Sequence, residues 1–296
     1  GGSGFVGQYF IRDYSSDYEI IAPIRGYRKD LQKVDSVIYL ESDYSVDSLK
    51  QSFDGCDAVI HLAGKKDLFT QIDYIENIKL GSNVFEACKE LNIKNIINVS
   101  SRAVFGNEHF EMGDLVDENQ MPQPDNLYGL SKLNIEILAE FYNKKYNMFI
   151  KSYRMGEICG LNFKYGMSHI FWEILLKMSK EKKALPIYGT GAGGRDLIYV
   201  KDVVRALVFG IEKKEISGIF HIGRGSMVTN LEIAKEFCTI FSNKSGIQLY
   251  PEKSDGGTKW CLDVKKAQNI LKYQTRYDLE HMIRDIKMEY EKSFCV

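Results

Sequence analysis

No apolar run in this 296-residue sequence is long enough to cross a bilayer, and no signal-peptide pattern opens it. A cytoplasmic location is therefore the expectation. The six cysteines (Cys56, Cys88, Cys159, Cys238, Cys261 and Cys295) form no Cys-x-x-Cys pair, and no Cys/His cluster has metal-ligand spacing. No metal is expected, and the scattered thiols fit buried positions in a reducing compartment. An excess of one charge is missing too. The 39 Lys and Arg against 40 Asp and Glu leave −1, so no basic field argues for nucleic acid or an anionic membrane. Repeats, low-complexity tracts and a disordered linker are also absent.

What the sequence has is rhythm. Short apolar runs at 19–22, 37–40, 58–62, 96–99 and 149–153 alternate with helical patterns, notably 77–91 and 131–146. Runs apolar at nearly every position fit strands buried on both faces. Strand–helix alternation predicts an α/β fold with a doubly wound parallel sheet. After about Gly160 the rhythm weakens, with helices expected at 169–183, 203–212, 231–241 and 279–290 and a strand at 220–222. Residues 1–160 read as a dinucleotide-binding domain to which segments near 195–224 return. Residues 161–296 read mainly as a smaller, interleaved substrate-binding domain.

Gly1-Gly2-Ser3-Gly4-Phe5-Val6-Gly7 fits G-x-x-G-x-x-G. Such glycines let backbone come close to a pyrophosphate, and the following helix offers free N–H groups and a positive dipole end. A loop with no ligand can have the same composition. A strand should precede this turn, so the chain is expected to begin several residues before Gly1. At the end of the next strand, Ala22-Pro23-Ile24-Arg25-Gly26 has no acid to take ribose hydroxyls. Arg25 suits a 2′-phosphate and leans the expectation toward NADP over NAD; a solvated surface arginine is the other reading.

Tyr128 and Lys132 stand four apart and share a helix face. A nearby ammonium lowers a phenol's pKa, so the pair can move a proton while a hydride passes to or from nicotinamide. Upstream, Ser100 and Ser101 end a strand where parallel sheets bind ligands. A surface Tyr/Lys pair and helix-capping serines would look the same singly.

Together these features resemble the extended short-chain dehydrogenase/reductase family, also called the NAD-dependent epimerase/dehydratase family, over nearly the whole chain. The resemblance implies a Rossmann-type sheet and a cofactor site of Gly1, Gly4, Phe5, Val6, Gly7, Arg25, Asp43 and Tyr44, with Asp43 toward adenine. Leu62, Ala63 and Gly64 match the family's cofactor-side loop. Ser101, Tyr128 and Lys132 fall at its catalytic positions. Arg195, in Arg195-Asp196-Leu197-Ile198-Tyr199-Val200-Lys201-Asp202, matches an arginine that often holds a nucleotide diphosphate in relatives. Glu157 stands where relatives often have Asn, and would repel a diphosphate unless it turns away or meets a cation. Lys259 is the candidate for a further substrate cation. Dehydratases of the family usually have an acidic pair after the catalytic Ser/Thr; here Arg102-Ala103 makes water elimination unexpected.

The expected function is thus an NAD(P)-dependent epimerase acting at C4 of a nucleotide-linked hexose, with an NADPH-dependent 4-keto-sugar reductase as the alternative. A dinucleotide-sensing protein without catalysis is the rival of another class, disfavoured by the intact Ser101, Tyr128 and Lys132. The helices at 77–91 and 131–146 resemble those through which relatives dimerise, which implies a homodimer.

Overall fold

The structure is a computed structural model that describes residues 1–26, 31, 33–162, 166, 167 and 169–294. The first half runs α1 (Phe5–Tyr14), β1 (Ile20–Ile24), β2 (Val37–Glu41), α2 (Val46–Phe53), β3 (Ala58–His61), α3 (Gln71–Glu90) and β4 (Asn95–Ser101). Next come β5 (Asp114–Val116), α4 (Leu127–Tyr146) and β6 (Phe149–Met155). The second half holds β7 (Glu157–Cys159), β8 (Leu161–Asn162), β9 (Gly166–Met167), α5 (Ile170–Lys180), β10 (Leu185–Tyr188), β11 (Gly194–Arg195), β12 (Leu197–Tyr199) and α6 (Val200–Glu212). It ends with β13 (Gly218–Ile222), β14 (Val228–Thr229), α7 (Asn230–Ile240), β15 (Ile247–Tyr250), β16 (Trp260–Leu262) and α8 (Leu279–Phe294).

Strands β3, β4, β6 and β13 form a parallel sheet in the order β13-β6-β4-β3, with Ser100 beside Arg154 and Ser101 beside Met155. Parallel pairing with crossover helices buries both faces, and β4 is buried at five of its seven positions. Strands β1 and β2 form a second parallel pair. Between β1 and β3 lies an open cleft lined by Ile21, Pro23, Leu49, Phe53, Val59 and Ile60, with Gly1 and Ala63 also on its wall. Among the described residues β1 and β3 are not paired with each other.

Helix ends follow local chemistry. Thr70 and Asp73 close a capping box that starts α3 six residues before the apolar periodicity becomes visible at 77. Asn126 caps α4 through Gly129 N–H at 2.8 Å, so this helix begins four residues ahead of the expected 131. The polar stretch 114–126 opens with β5, which pairs in parallel with β16 and brings Trp260 to this end of the molecule. Alternation could not reveal three-residue strands whose partner lies about 150 residues away.

The Arg195–Asp202 segment holds the two halves together. Asp196 accepts the Leu262 N–H at 3.0 Å. Tyr199 donates to Asp285 on α8 at 2.6 Å. Asp202, fully buried, accepts the N–H groups of Arg276 and Tyr277 at 2.9–3.0 Å and pairs with Arg205. Lys201 reaches Asp285 and Glu289 on α8, and Tyr9 of α1 donates to Glu289 at 2.6 Å. Among the described residues no helix is long and apolar enough to cross a membrane, and no cluster of three or more His, Cys, Asp or Glu could hold a metal ion.

Asp202→Ala leaves the Arg276 and Tyr277 N–H groups without their side-chain acceptor and Arg205 with only the Gln274 carbonyl. Removing one member of a buried ionic pair costs about 3–5 kcal/mol. The urea unfolding midpoint is expected to fall accordingly; an unchanged midpoint would contradict this role.

Candidate active site

The glycine turn is shaped by close approach. A Cβ on Gly7 would lie 2.3 Å from the Gly1 carbonyl oxygen, and one on Gly1 would lie 2.6 Å from the Leu62 Cβ. Side chains at either place would force apart the turn and the loop after β3. Helix α1 starts at Gly4 with no side-chain cap and no acid in its first turn, while Phe5 and Val6 supply its first residues. Its leading N–H groups and dipole are therefore open to an anion. These features fit a dinucleotide pyrophosphate.

The opposite wall is Leu62-Ala63-Gly64. Gly64 adopts φ +155°, and a Cβ there would stand 3.8 Å from the Lys132 ammonium. Buried Asn77 fixes the loop: it accepts from Lys65 N–H and donates to Lys65 C=O, both at 2.9 Å, and also donates to Ser131 at 3.4 Å. Sequence reasoning missed Asn77, because a single Asn in a helix carries no spacing signal. His61, at the end of β3, is buried and held down to about 3, first by burial and then by the Lys132 charge, so it stays neutral at ordinary pH.

Asp43 is exposed and accepts the Ser45 N–H at 2.8 Å, which holds its carboxyl below the usual range. Tyr44, at φ 62°, donates to the Pro23 carbonyl at 3.0 Å and lies 5.4 Å from the exposed Arg25 guanidinium. A carboxylate does reach this strand end. Glu41, paired with Ile24 in register, brings Oε1 within 3.5 Å of where a Gly26 Cβ would be.

Ser101 ends β4 and Tyr128 lies in the first turn of α4. Between them, the short 3-10 turn Arg102–Val104 packs on that helix so closely that a Cβ on Gly129 would be 2.1 Å from the Ala103 carbonyl oxygen. Ser101 Oγ accepts the Ala103 N–H at 3.1 Å. Lys132 Nζ donates to the Val99 carbonyl at 2.8 Å and lies 5.8 Å from the Tyr128 ring centre. Burial raises the Tyr128 phenol, and the Ser101 contact is what pulls it down. The lysine expected to lower the phenol is not among the groups that dominate it. Burial lowers Lys132 itself to about 8, partly offset by Glu136.

Glu136 stands one turn past Lys132, a spacing visible in the sequence but not read there. Its buried carboxylate takes Arg154 in a fork, at 3.1 and 2.7 Å, and accepts from Ser100. Lys132 thus lies in the field of a carboxylate that a buried arginine also holds.

The structure brings Glu157 and Arg195 together. Arg195 Nη1 meets both Glu157 oxygens at 2.7 and 3.0 Å, its Nε donates to Asn230 at 2.8 Å, and its plane lies 4.1 Å from the Phe171 ring centre. The repulsion foreseen for Glu157 is thereby met by a cation. Lys259 does not join them. It is exposed between buried Thr258 and Trp260, on the other side of an extended segment.

The description "NAD dependent epimerase/dehydratase family" matches residues 1–223. The trifunctional UDP-glucose 4,6-dehydratase/UDP-4-keto-6-deoxy-D-glucose 3,5-epimerase/UDP-4-keto-L-rhamnose-reductase of Arabidopsis thaliana is 26% identical over 293 residues, covering 91% of this chain. The chain spans only 43% of that relative's length. The solved UDP-N-acetylglucosamine 4-epimerase of Bacillus cereus is 25% identical with a TM-score of 0.82, covering 98% of this chain and 94% of that one. The UDP-glucuronic acid 4-epimerase of the same organism, solved in complex with NAD, is 23% identical with a TM-score of 0.82, covering 99% and 98%. A match of that extent, on a chain whose turn and helix end suit a dinucleotide, means that this protein belongs to the NAD dependent epimerase/dehydratase family: it is an NAD(P)-dependent enzyme on a Rossmann-type α/β fold.

Proposed function

We propose that this enzyme is a nucleotide-sugar epimerase that oxidises and re-reduces C4 of the hexose. The observation that carries the reading is the meeting of Ser101, Tyr128 and Lys132 at the end of β4. Arg102-Ala103 follows that serine, where water elimination would call for acids. A dinucleotide held by the glycine turn and the start of α1 would supply hydride chemistry at its nicotinamide. The protein handles the proton. Tyr128 takes the proton of the C4 hydroxyl at its phenolic oxygen, while Ser101 hydrogen-bonds the same sugar oxygen. Lys132, poised on the Val99 carbonyl, turns to the ribose and lends its charge to the phenolate. Oxidation breaks the C4–H and O–H bonds and leaves a ketone; return of the hydride to the opposite face and of the proton to oxygen inverts C4 with no net redox change. Glu157 and Arg195 are the side chains proposed for the rest of the nucleotide sugar, and Lys259, which faces outward, is not among them. The curated and solved relatives that act on UDP-sugars support this substrate class.

A 4-keto-sugar reductase is the second reading, favoured by Arg25 at the end of β1 and opposed by Glu41 beside it. Quantifying the dinucleotide released from denatured protein separates the two. Stoichiometric NAD together with a C4-epimerised UDP-sugar is expected for the epimerase. Empty protein that prefers NADPH, a preference lost in Arg25→Ala, would replace it with the reductase. Tyr128→Phe is expected to lower kcat by about 100-fold or more, as loss of a general acid–base does; undiminished turnover would end the assignment.

The Lys132 ammonium must stay charged for this chemistry. Its folded-state value of about 8 puts the loss of kcat/KM above roughly pH 8. Since an unfolded lysine titrates near about 10.4, this group makes stability rise, not fall, with pH between those values. Glu136→Gln removes the carboxylate that raises Lys132, so the alkaline limb is expected to move to lower pH; a limb that stays put would exclude the coupling.

We also propose a homodimer through α3 and α4. Phe69, Ile72 and Ile75 at the start of α3 are exposed by 86%, 68% and 58%, and Ile137 and Phe141 on the adjoining α4 by 60% and 51%. Exposed apolar surface on two packed helices is suited to a partner surface. Ile137→Glu with Phe141→Glu is expected to give a monomer in sedimentation; a wild type that already sediments as a monomer would refute the interface.

A further inference from the structure

Arg102 is the residue that neither the resemblance nor the proton chemistry uses. It follows Ser101 directly, in the 3-10 turn pressed against the first turn of α4, so its Cα lies about 3.8 Å from that of the serine. Its guanidinium lies 4.6 Å from the Trp260 ring centre, and Nη2 donates to Asn107 Oδ1 at 3.4 Å. The same Asn107 oxygen accepts Trp260 Nε1 at 3.2 Å, and Phe105 and Phe110 pack on that indole at 5.6 and 4.8 Å. The guanidinium plane is thereby set in advance. Nη1, sealed from solvent, has no hydrogen-bond partner among the described residues.

Of the neighbouring carboxylates, Glu157 is held by Arg195 Nη1 through both oxygens, and Asp196 takes the Leu262 N–H through Oδ2 while its buried Oδ1 has no hydrogen-bond partner among the described residues. Two other arginines have an Nη1 without a partner. Arg154 is held by Glu136, and Arg224 lies beyond β13 in the field of Glu232 and Asp278. Burial lowers Arg102's proton affinity, with Asp196 and Glu157 raising it and Arg195 lowering it further. A buried N–H donor left empty costs stability unless a ligand supplies the acceptor.

We infer that Arg102 receives a carboxylate carried by the sugar, so that the substrate is a nucleotide-linked sugar acid. This rests on the C4 reading above and deepens it. Of the two ring carbons beside C4, we place C5 and its substituent next to residue 102 when the C4 oxygen is on Ser101. The diphosphate hangs from C1, across the ring. A planar guanidinium of fixed orientation suits a carboxylate better than it suits a neutral hydroxymethyl.

The test is calorimetric binding to the dinucleotide-loaded enzyme of two matched pairs: UDP-glucuronate with UDP-glucose, and GDP-mannuronate with GDP-mannose. UDP and GDP serve as references. One pair is expected to show the sugar acid binding about 10- to 100-fold tighter, the range for a hydrogen bond to a charged group. Arg102→Met is expected to collapse that ratio toward unity, and Arg102→Lys, which keeps charge but loses the planar fork, to restore part of it. Equal affinity for acid and neutral sugar in the wild type would overturn the inference and leave the C4 reading standing. So would a ratio that survives in both variants, or a parallel loss for free nucleotide, which would put Arg102 on the diphosphate. Binding of neither pair would remove the nucleotide-sugar reading and the inference with it.

Discussion

The buried carboxylate of Glu136 joins the sheet to the helix that carries Tyr128 and Lys132. It accepts from Ser100 on β4 and from Arg154 on β6, residues that face each other in register. It sits one turn from Lys132, whose ammonium reaches back to Val99 on the same β4. A buried carboxylate and a buried guanidinium are each costly alone and tolerable together, so neither can move without exposing the other. That constraint fixes the end of β4, where Ser101 projects, against the first turns of α4, where Tyr128 and Lys132 stand. It also fixes β6, which leads directly into Glu157.

A second tie runs through Arg195–Asp202. Arg195 turns into the site and meets Glu157, while Asp196, Tyr199 and Asp202 turn away to hold Leu262, α8 and the 276–277 backbone. One eight-residue segment therefore places the cation that holds Glu157 and anchors the C-terminal third of the chain. The charge pattern of the site follows from it. Arg195 is neutralised within the protein, whereas Arg102, braced on Trp260, keeps an N–H without an acceptor.

The strand–helix rhythm was legible because strands buried on both faces are apolar at nearly every position, and β4 and β6 sit where the apolar runs 96–99 and 149–153 indicated. Helix starts were less legible. Thr70 and Asn126 are polar caps, and apolar periodicity shows only after the first turn is complete. The spacing of Gly1, Gly4 and Gly7, and of Tyr128 and Lys132, is local, so the sequence could display it. Glu136 continues that spacing by one more turn, and only the arginine on a neighbouring strand shows why it matters.

What the sequence by itself determined is the set of short-range decisions: the glycine turn whose backbone cannot admit a Cβ, the four-residue spacing on α4, and the apolar runs that must become a parallel sheet. These depend on residues within a turn or a strand of one another. The tertiary structure alone decided which charges meet. Glu157 and Arg195 are 38 residues apart and form an ion pair; Trp260 arrives beside Arg102 through a three-residue strand pairing; Lys259, next to that tryptophan, faces outward. Burial, not sequence, then sets their chemistry, because the field of a charge and the cost of hiding it depend on what surrounds it in space.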